Sequence, residues 1–285
     1  MITQQASFFE PKPTPAPDLS KCHLIYTPKG RAREYARLAC NVYRGCGHGC
    51  VYCYAPSATF KSPDEFYQPN TRGDRFLDNL KREAAKYAAA GVTDQVLLSF
   101  TCDPYQPLDT TERVTRRAIE ILHANGLRVC TLTKGGKRAL IDLEVFRPGD
   151  AFATTMTLLD PDDSAKWEPN AASPAQRIAA IRKFHAAGIP TWVSLEPVLD
   201  PAVALEIIRQ THEFVDVYKV GKLNYHPLAK SIDWRAFCTD AMSLLISLGY
   251  LRELEPDYIQ DIPWGDKAFY VKDDLRAYAL DNRAR

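Results

Sequence analysis

From Arg37 onward the chain alternates short runs of β-branched and apolar residues with longer stretches in which apolar side chains recur every three or four positions. Runs of the first kind suit strands, and the recurring stripe suits a helix that buries one side. The pattern predicts strands near Ala39 to Tyr43, Gln95 to Phe100, Leu127 to Thr133, Ala151 to Thr157, Thr191 to Leu195 and Val215 to Val220. Helices are predicted between them, near Arg75 to Ala90, Thr111 to Asn125, Arg138 to Phe146, Pro174 to Ala187 and Ala202 to Thr211. Gly91, Gly126 and Gly188 each fall just past such a helix, where a left-handed cap favours glycine. Strand and helix in this alternation build a parallel sheet covered by helices, an α/β fold. Six strands are too few to close an eight-stranded barrel, so the order suits an open, partial (β/α)6 barrel of the TIM type. In such barrels chemistry gathers at the C-terminal ends of the strands.

The flanks read differently. Pro11, Pro13, Pro15 and Pro17 alternate in the first segment, residues 1–37, which favours an extended tail over a helix. The stretch that follows, KCHLIYTPKGRAREYARL, carries Lys21, Lys29, Arg31, Arg33 and Arg37 against Glu34, either a solvated charged face or a phosphate contact. Residues 38–221 hold the barrel pattern. Residues 222–285 add an amphipathic helix near Trp234 to Leu248, with Phe237, Met242, Leu244, Leu245 and Leu248 as its core side, and an extension expected to close the barrel's open side.

At 285 residues, with 46% hydrophobic and 25% charged positions, the chain has enough apolar side chains for a full core. A net charge of +1 gives no support to a polyanionic partner such as nucleic acid, which would need a local basic patch. Eight cysteines, three clustered and the rest scattered (Cys22, Cys40, Cys102, Cys130, Cys238), do not make a small secreted disulfide framework. No apolar run approaches the roughly 18 residues of a membrane span, and the N-terminus lacks signal character. A cytoplasmic protein with no membrane partner is expected.

The densest chemistry lies in Asn41 to Ala55, NVYRGCGHGCVYCYA, where Cys46, Cys50 and Cys53 stand at C-x-x-x-C-x-x-C spacing among Gly45, Gly47 and Gly49. A glycine-rich backbone can wrap closely around an object that three thiolates share. A four-iron cluster held by three cysteines keeps one iron open to a non-protein ligand, which suits a reactive cluster. The alternative is a zinc-stabilised binding or interaction module, nucleic-acid binding included, with His48 completing a Cys3His set and no catalysis.

The spacing, Tyr52 before the third cysteine and the flanking NVYRGC and YCYA resemble the radical S-adenosylmethionine (SAM) superfamily, and within it the spore photoproduct lyase-like branch. The resemblance runs from about Leu38 to Gly221. It implies a 4Fe–4S cluster on Cys46, Cys50 and Cys53, which gives one electron to bound SAM and releases a 5'-deoxyadenosyl radical that abstracts hydrogen from a substrate. It also implies an electron donor of flavodoxin or ferredoxin type, and leaves the substrate unidentified.

Strand-end residues acquire candidate roles through the same resemblance. Asp103 in DPYQP lies where the amino-acid end of SAM would sit, or forms an Asp-Pro turn. Lys134 in TLTK matches a lysine that contacts the SAM carboxylate, Thr155 matches a polar residue of the fourth strand, and Glu196 receives a cofactor hydroxyl, binds substrate or makes a helix-capping salt link. Tyr52 is expected to offer backbone or ring to adenine. Tyr54, and also Tyr52, match tyrosines that relay hydrogen in the lyase. Phe100 stands where the lyase has its hydrogen-donating cysteine. Cys102 remains a candidate donor or a small polar neighbour of SAM, so thymine-dimer repair does not follow from the resemblance. Lys219, Lys222, Asn224 and His226 near the sixth strand's end are candidates for an anionic substrate.

Overall fold

In the computed structural model, residues 17–254 and 264–280 are described. The prolines at 11, 13 and 15 therefore lie outside the described residues. The chain forms ten strands, β1 (Leu38–Cys40), β2 (Tyr43–Arg44), β3 (Asn70–Thr71), β4 (Gln95–Leu98), β5 (Arg128–Thr133), β6 (Ala151–Thr155), β7 (Thr191–Leu195), β8 (Val217–Val220), β9 (Arg252–Glu253) and β10 (Ala268–Val271), among the described residues. Eight of them form one sheet in the order β1-β4-β5-β6-β7-β8-β10-β9, and every pairing in it is parallel. All six predicted strands are present in sequence order. The C-terminal extension goes further than expected, because β10 and β9 prolong the sheet beyond β8.

The first predicted strand is two. Asn41 interrupts it, its Nδ2 donating to the Tyr26 hydroxyl at 2.8 Å and its Oδ1 accepting the Thr101 N–H at 2.7 Å. Beyond Asn41, β2 turns out of the barrel and pairs antiparallel with β3. The predicted helix at Thr111 is likewise split, into Asp109–Glu112 and Val114–Ala124, by Arg113 in a left-handed conformation (φ 50°). Asp109 holds the break: it accepts the Thr115 N–H at 3.0 Å and the Tyr43 hydroxyl. The helix predicted at Arg138 is a tighter 3-10 stretch, Gly136–Val145.

Elsewhere the local signals act as read. Pro174–Ala186 starts with a capping box between Ser173 and Gln176 and a proline in the first turn. Gly91, Gly126 and Gly188 all take positive φ. Alternation along the strands separates two cores. Cys130, Ala151, Ala153, Trp192, Val217, Ala268 and Tyr270 pack inside the barrel, whereas Val129, Val193, Leu195, Tyr218 and Val220 join the larger core under the helices. Extending the period to the strand ends puts Lys134, Thr155, Glu196, Lys219 and Lys272 on the inner wall at the C-terminal mouth.

Candidate active site

The cysteine loop leaves β2 and crosses that mouth. Gly45 takes φ 75°, and a Cβ there would lie 2.3 Å from the Phe66 carbonyl oxygen, so only glycine permits the approach by which Cys46 N–H donates to that oxygen at 3.1 Å. The Tyr67 hydroxyl donates to the Cys50 carbonyl at 2.7 Å, and Cys53 N–H donates to the same oxygen at 3.1 Å. All three cysteines are free, Cys50 buried and the others half-buried. Burial pushes the Cys50 thiol up to about 12, the Cys46 thiol well above its ordinary value, and the Cys53 thiol up as well. Asp103, and then Cys50 and Cys53, push the Cys46 value further up.

The ring of His48 faces elsewhere. Arg138 Nη2 donates to its Nε2 at 2.7 Å, and its Nδ1 faces Asp103 Oδ2 at 3.4 Å. Burial lowers the imidazole to about 4, so it is neutral near pH 7, with its proton on Nδ1. Both ring nitrogens are thus engaged by side chains other than the thiols, which leaves His48 a poor fourth ligand. Among the described residues no three His, Cys, Asp or Glu groups gather closely enough for one shared ion. Three free thiols with no protein group offered as a fourth ligand make the donor set of a 4Fe–4S cluster that keeps one iron open.

A strap after β6 pins the loop from above. Val51 N–H donates to the Trp167 carbonyl at 2.9 Å, Asn170 N–H to the His48 carbonyl at 3.0 Å, and Ala172 N–H to the Lys134 carbonyl at 2.9 Å. Within the strap the buried Glu168 accepts from the Tyr52 hydroxyl, from Thr157 Oγ1 at 2.8 Å and from Arg177 Nη2. Burial works against the Glu168 charge, but the Arg177 guanidinium, and then Lys134, hold its carboxyl below the usual range. Arg177 in turn donates to the carbonyls of Ala172 at 2.8 Å and Thr155 at 3.1 Å. With Glu168 committed to these partners, the Lys134 ammonium lies over the Tyr52 ring at 5.5 Å and forms no ion pair among the described residues.

The other expected site residues divide. Asp103 is absorbed into the scaffold, accepting from Tyr105 N–H at 2.8 Å, Thr133 Oγ1 at 2.5 Å and Lys134 N–H at 2.7 Å. It thereby sets the backbone from which Lys134 projects. Thr155 is buried beside this network and Tyr54 stands half-exposed, its hydroxyl donating to the Phe100 carbonyl at 3.2 Å. Burial pushes the Tyr54 phenol up, so it keeps its hydrogen. Cys102 is buried, and burial pushes its thiol up to about 12. Glu196 has partners of its own: Lys272 Nζ donates to it at 3.0 Å, and the Tyr35 hydroxyl donates to it as well.

Glu168, Arg177, Tyr35 and Lys272 escaped the sequence reading. Arg177 left a trace, since it shares a helix face with Ala180, Ile181 and Phe184, where a charge is anomalous. Lys219, buried within VYKV, carries the same kind of signal. Glu168 left none.

The family model described as the Radical SAM superfamily matches residues 40–215. An uncharacterized protein of Methanocaldococcus jannaschii is 23% identical over 198 residues, 66% of this chain and 71% of that protein. An uncharacterized protein of Mycobacterium tuberculosis is 28% identical over 190 residues, 64% of this chain and 55% of its own length, so the chain spans about half of that relative. Among solved structures, a spore photoproduct lyase variant with dinucleoside spore photoproduct superposes with a TM-score of 0.61 at 17% identity, covering 87% of this chain and 78% of that one. SuiB of Streptococcus suis bound to S-adenosylmethionine gives 0.56 at 12% identity, covering 85% and 52%. At such identities the likeness is one of fold. The cysteine loop at the mouth of a parallel barrel and a family match over more than half of the sequence agree, and the chain belongs to the radical SAM superfamily, whose members are enzymes that use a 4Fe–4S cluster and SAM.

Proposed function

We propose that Cys46, Cys50 and Cys53 hold the 4Fe–4S cluster and that the chain delivers a SAM-derived radical to a substrate lodged against the inner wall of the barrel. The observation that carries this reading is the conjunction of three neighbouring free thiols with a lysine, Lys134, that the surrounding carboxylates leave unpaired. Held by these three thiols, the cluster would supply the single electron that reductive cleavage of SAM requires.

The protein's share is binding, orientation and protection. Because burial raises all three thiols, cluster binding must expel their protons, and loading weakens as pH falls. Lys134 offers its charge to the methionyl carboxylate, while the Asp103 bonds fix its backbone and Glu168 fixes the Tyr52 ring beside it. Thr155 lines the same wall. Tyr54, which keeps its hydrogen and faces the Phe100 carbonyl, is placed to pass a hydrogen atom between the cofactor side and the substrate side.

The substrate is not carried over from the relatives. The lyase structure holds a dinucleoside spore photoproduct, and a SuiB structure holds its precursor peptide. By the sequence resemblance Phe100 stands where the lyase has its hydrogen-donating cysteine, and the net charge of +1 gives no general pull on DNA. A flavodoxin- or ferredoxin-type protein is the expected reductant. Anaerobic reconstitution with iron and sulfide, then dithionite and SAM, tests the reading: wild type should form 5'-deoxyadenosine and Cys50→Ala none. Cluster-loaded wild type that forms none overturns it.

A further inference from the structure

Two side chains that brace the cysteine loop also border a cavity. Gln106, fully buried, accepts the Gly47 N–H at 2.7 Å and donates to the Gly45 carbonyl at 3.3 Å, and Arg138 donates to His48 Nε2 at 2.7 Å. Both line a cavity of about 220 Å³ between residues 105–113 and 137–141. A cavity of about 150 Å³ admits a benzene ring, so this one has room for a small organic molecule. Lys137 is exposed and Ile141 is 56% exposed, which gives the cavity a mouth on the surface.

The charges around the cavity are of both signs, and several pair off. Arg113 meets Asp142 at 2.5 Å, and Arg116 meets Glu120 at 3.1 Å and Glu144 at 2.9 Å. Within the lining both signs are left over. Asp109 is buried, and the two hydrogen bonds it accepts, from the Thr115 N–H at 3.0 Å and the Tyr43 hydroxyl, both fall on Oδ1. Its Oδ2 takes no hydrogen bond or ion pair among the described residues, and burial pushes the carboxyl up from its ordinary value. Lys137 likewise forms no ion pair among the described residues. Arg138 donates only to neutral acceptors, His48, the Tyr105 carbonyl at 2.8 Å and the Asn170 carbonyl at 3.5 Å. The hydroxyl of Tyr105, a buried lining residue, completes no hydrogen bond among the described residues. A lone anion in this space would face Asp109, and a lone cation would face Lys137 and Arg138; a molecule that carries both charges satisfies each.

We propose that this cavity binds a free α-amino acid with an apolar side chain, its ammonium on Asp109, its carboxylate on Lys137 and Arg138, and its side chain against Ile141. Because Gln106 and Arg138 also hold the cysteine loop, occupancy steadies the peptides at Gly47 and His48, and the order of the loop and the affinity for the ligand rise together. The site does not depend on the cluster assignment.

The test titrates the full chain, free of cluster, with L-leucine in a calorimeter, beside isoamylamine, which lacks the carboxylate, and isocaproate, which lacks the ammonium. Each analogue should bind about tenfold more weakly than leucine, as the loss of one charge-assisted bond implies. Lys137→Glu should weaken leucine by a similar factor and leave the ligand-free melting temperature unchanged, because the side chain is exposed. Lys134→Ala, on the inner wall, should keep leucine affinity within about twofold. Leucine should also slow hydrogen exchange at the Gly47 amide. No binding of leucine, equal affinity for leucine and its analogues, or equal affinity in wild type and Lys137→Glu overturns the site. Binding lost in Lys134→Ala but kept in Lys137→Glu does so too, by seating the amino acid at the barrel mouth. Binding that leaves exchange at Gly47 unchanged overturns the coupling to the loop. None of these readouts uses SAM or the cluster, so failure of the proposed function is read separately, from 5'-deoxyadenosine.

Discussion

Two polar clusters share the inner mouth of this barrel, and they are wired in opposite ways. On the β7–β10 side the charges are paired off. Glu196 takes Lys272 and Tyr35, the Tyr35 hydroxyl lies 3.1 Å from Ser194 Oγ, Tyr270 donates to Glu34 at 3.0 Å, and the buried Lys219 reaches the Glu34 carbonyl and sits 3.4 Å from the centre of the Tyr35 ring. Because Glu34 and Tyr35 immediately precede the edge segment that leads into β1, these contacts lace one edge of the open sheet to β7, β8 and β10. On the cysteine side the bonds stop short of completion: Glu168 is saturated, three thiols hold protons that a cluster must displace, and Lys134 keeps an unmatched charge. A cluster with its valences closed stabilises the fold, and one left open in a defined direction awaits a ligand. Both are buried and charged, so burial alone does not tell them apart.

Breaking the open side should cost function first. Cys50→Ala should abolish 5'-deoxyadenosine formation altogether, read by chromatography of the anaerobic reaction. Glu168→Ala strands the Arg177 guanidinium in the interior and should cost about 3–5 kcal/mol of unfolding free energy, measured in urea. His48 sharpens the pH behaviour. Its imidazole is held near 4 when folded and returns to about 6.5 when unfolded, so between those values only the unfolded chain binds the proton. Stability should therefore fall as pH drops from about 6.5 to 4, by on the order of 3 kcal/mol, and His48→Gln should remove that part of the slope in urea titrations of the cluster-free chain. Lys134→Ala should weaken SAM binding by about 10- to 100-fold, as loss of a charge-assisted bond does, with the melting temperature unchanged. The mirror variant, Glu196→Gln, should lower stability modestly and leave SAM affinity within about twofold, since a neutral amide still accepts one of the two bonds.

Much of this was readable before any coordinates. The strand runs, the helical stripes and the glycine caps depend on neighbours within a few residues, and the cysteine loop is a local motif. The limits of that reading are equally physical. β10 is only Ala268–Val271, a run of strand formers too short and too hemmed in by charges to stand out alone, and pairing with β8 makes it a sheet strand. Glu196 has a carboxylate suited to a cofactor, and the partners it takes, Tyr35 and Lys272, come from far away in the chain, where no local pattern could name them. Cys102 sits directly before Asp103, and its thiol is buried, which its place in the sequence does not announce. Glu168 and Tyr52 meet across 116 residues, a convergence that no spacing rule encodes.

The most direct measurement is electron–nuclear double resonance on the reduced, reconstituted protein with SAM carrying nitrogen-15 in its amino group. A cluster held by Cys46, Cys50 and Cys53 alone should show a coupling from that nitrogen to one iron. A fully reduced cluster in the presence of saturating SAM that shows no such coupling contradicts the assignment.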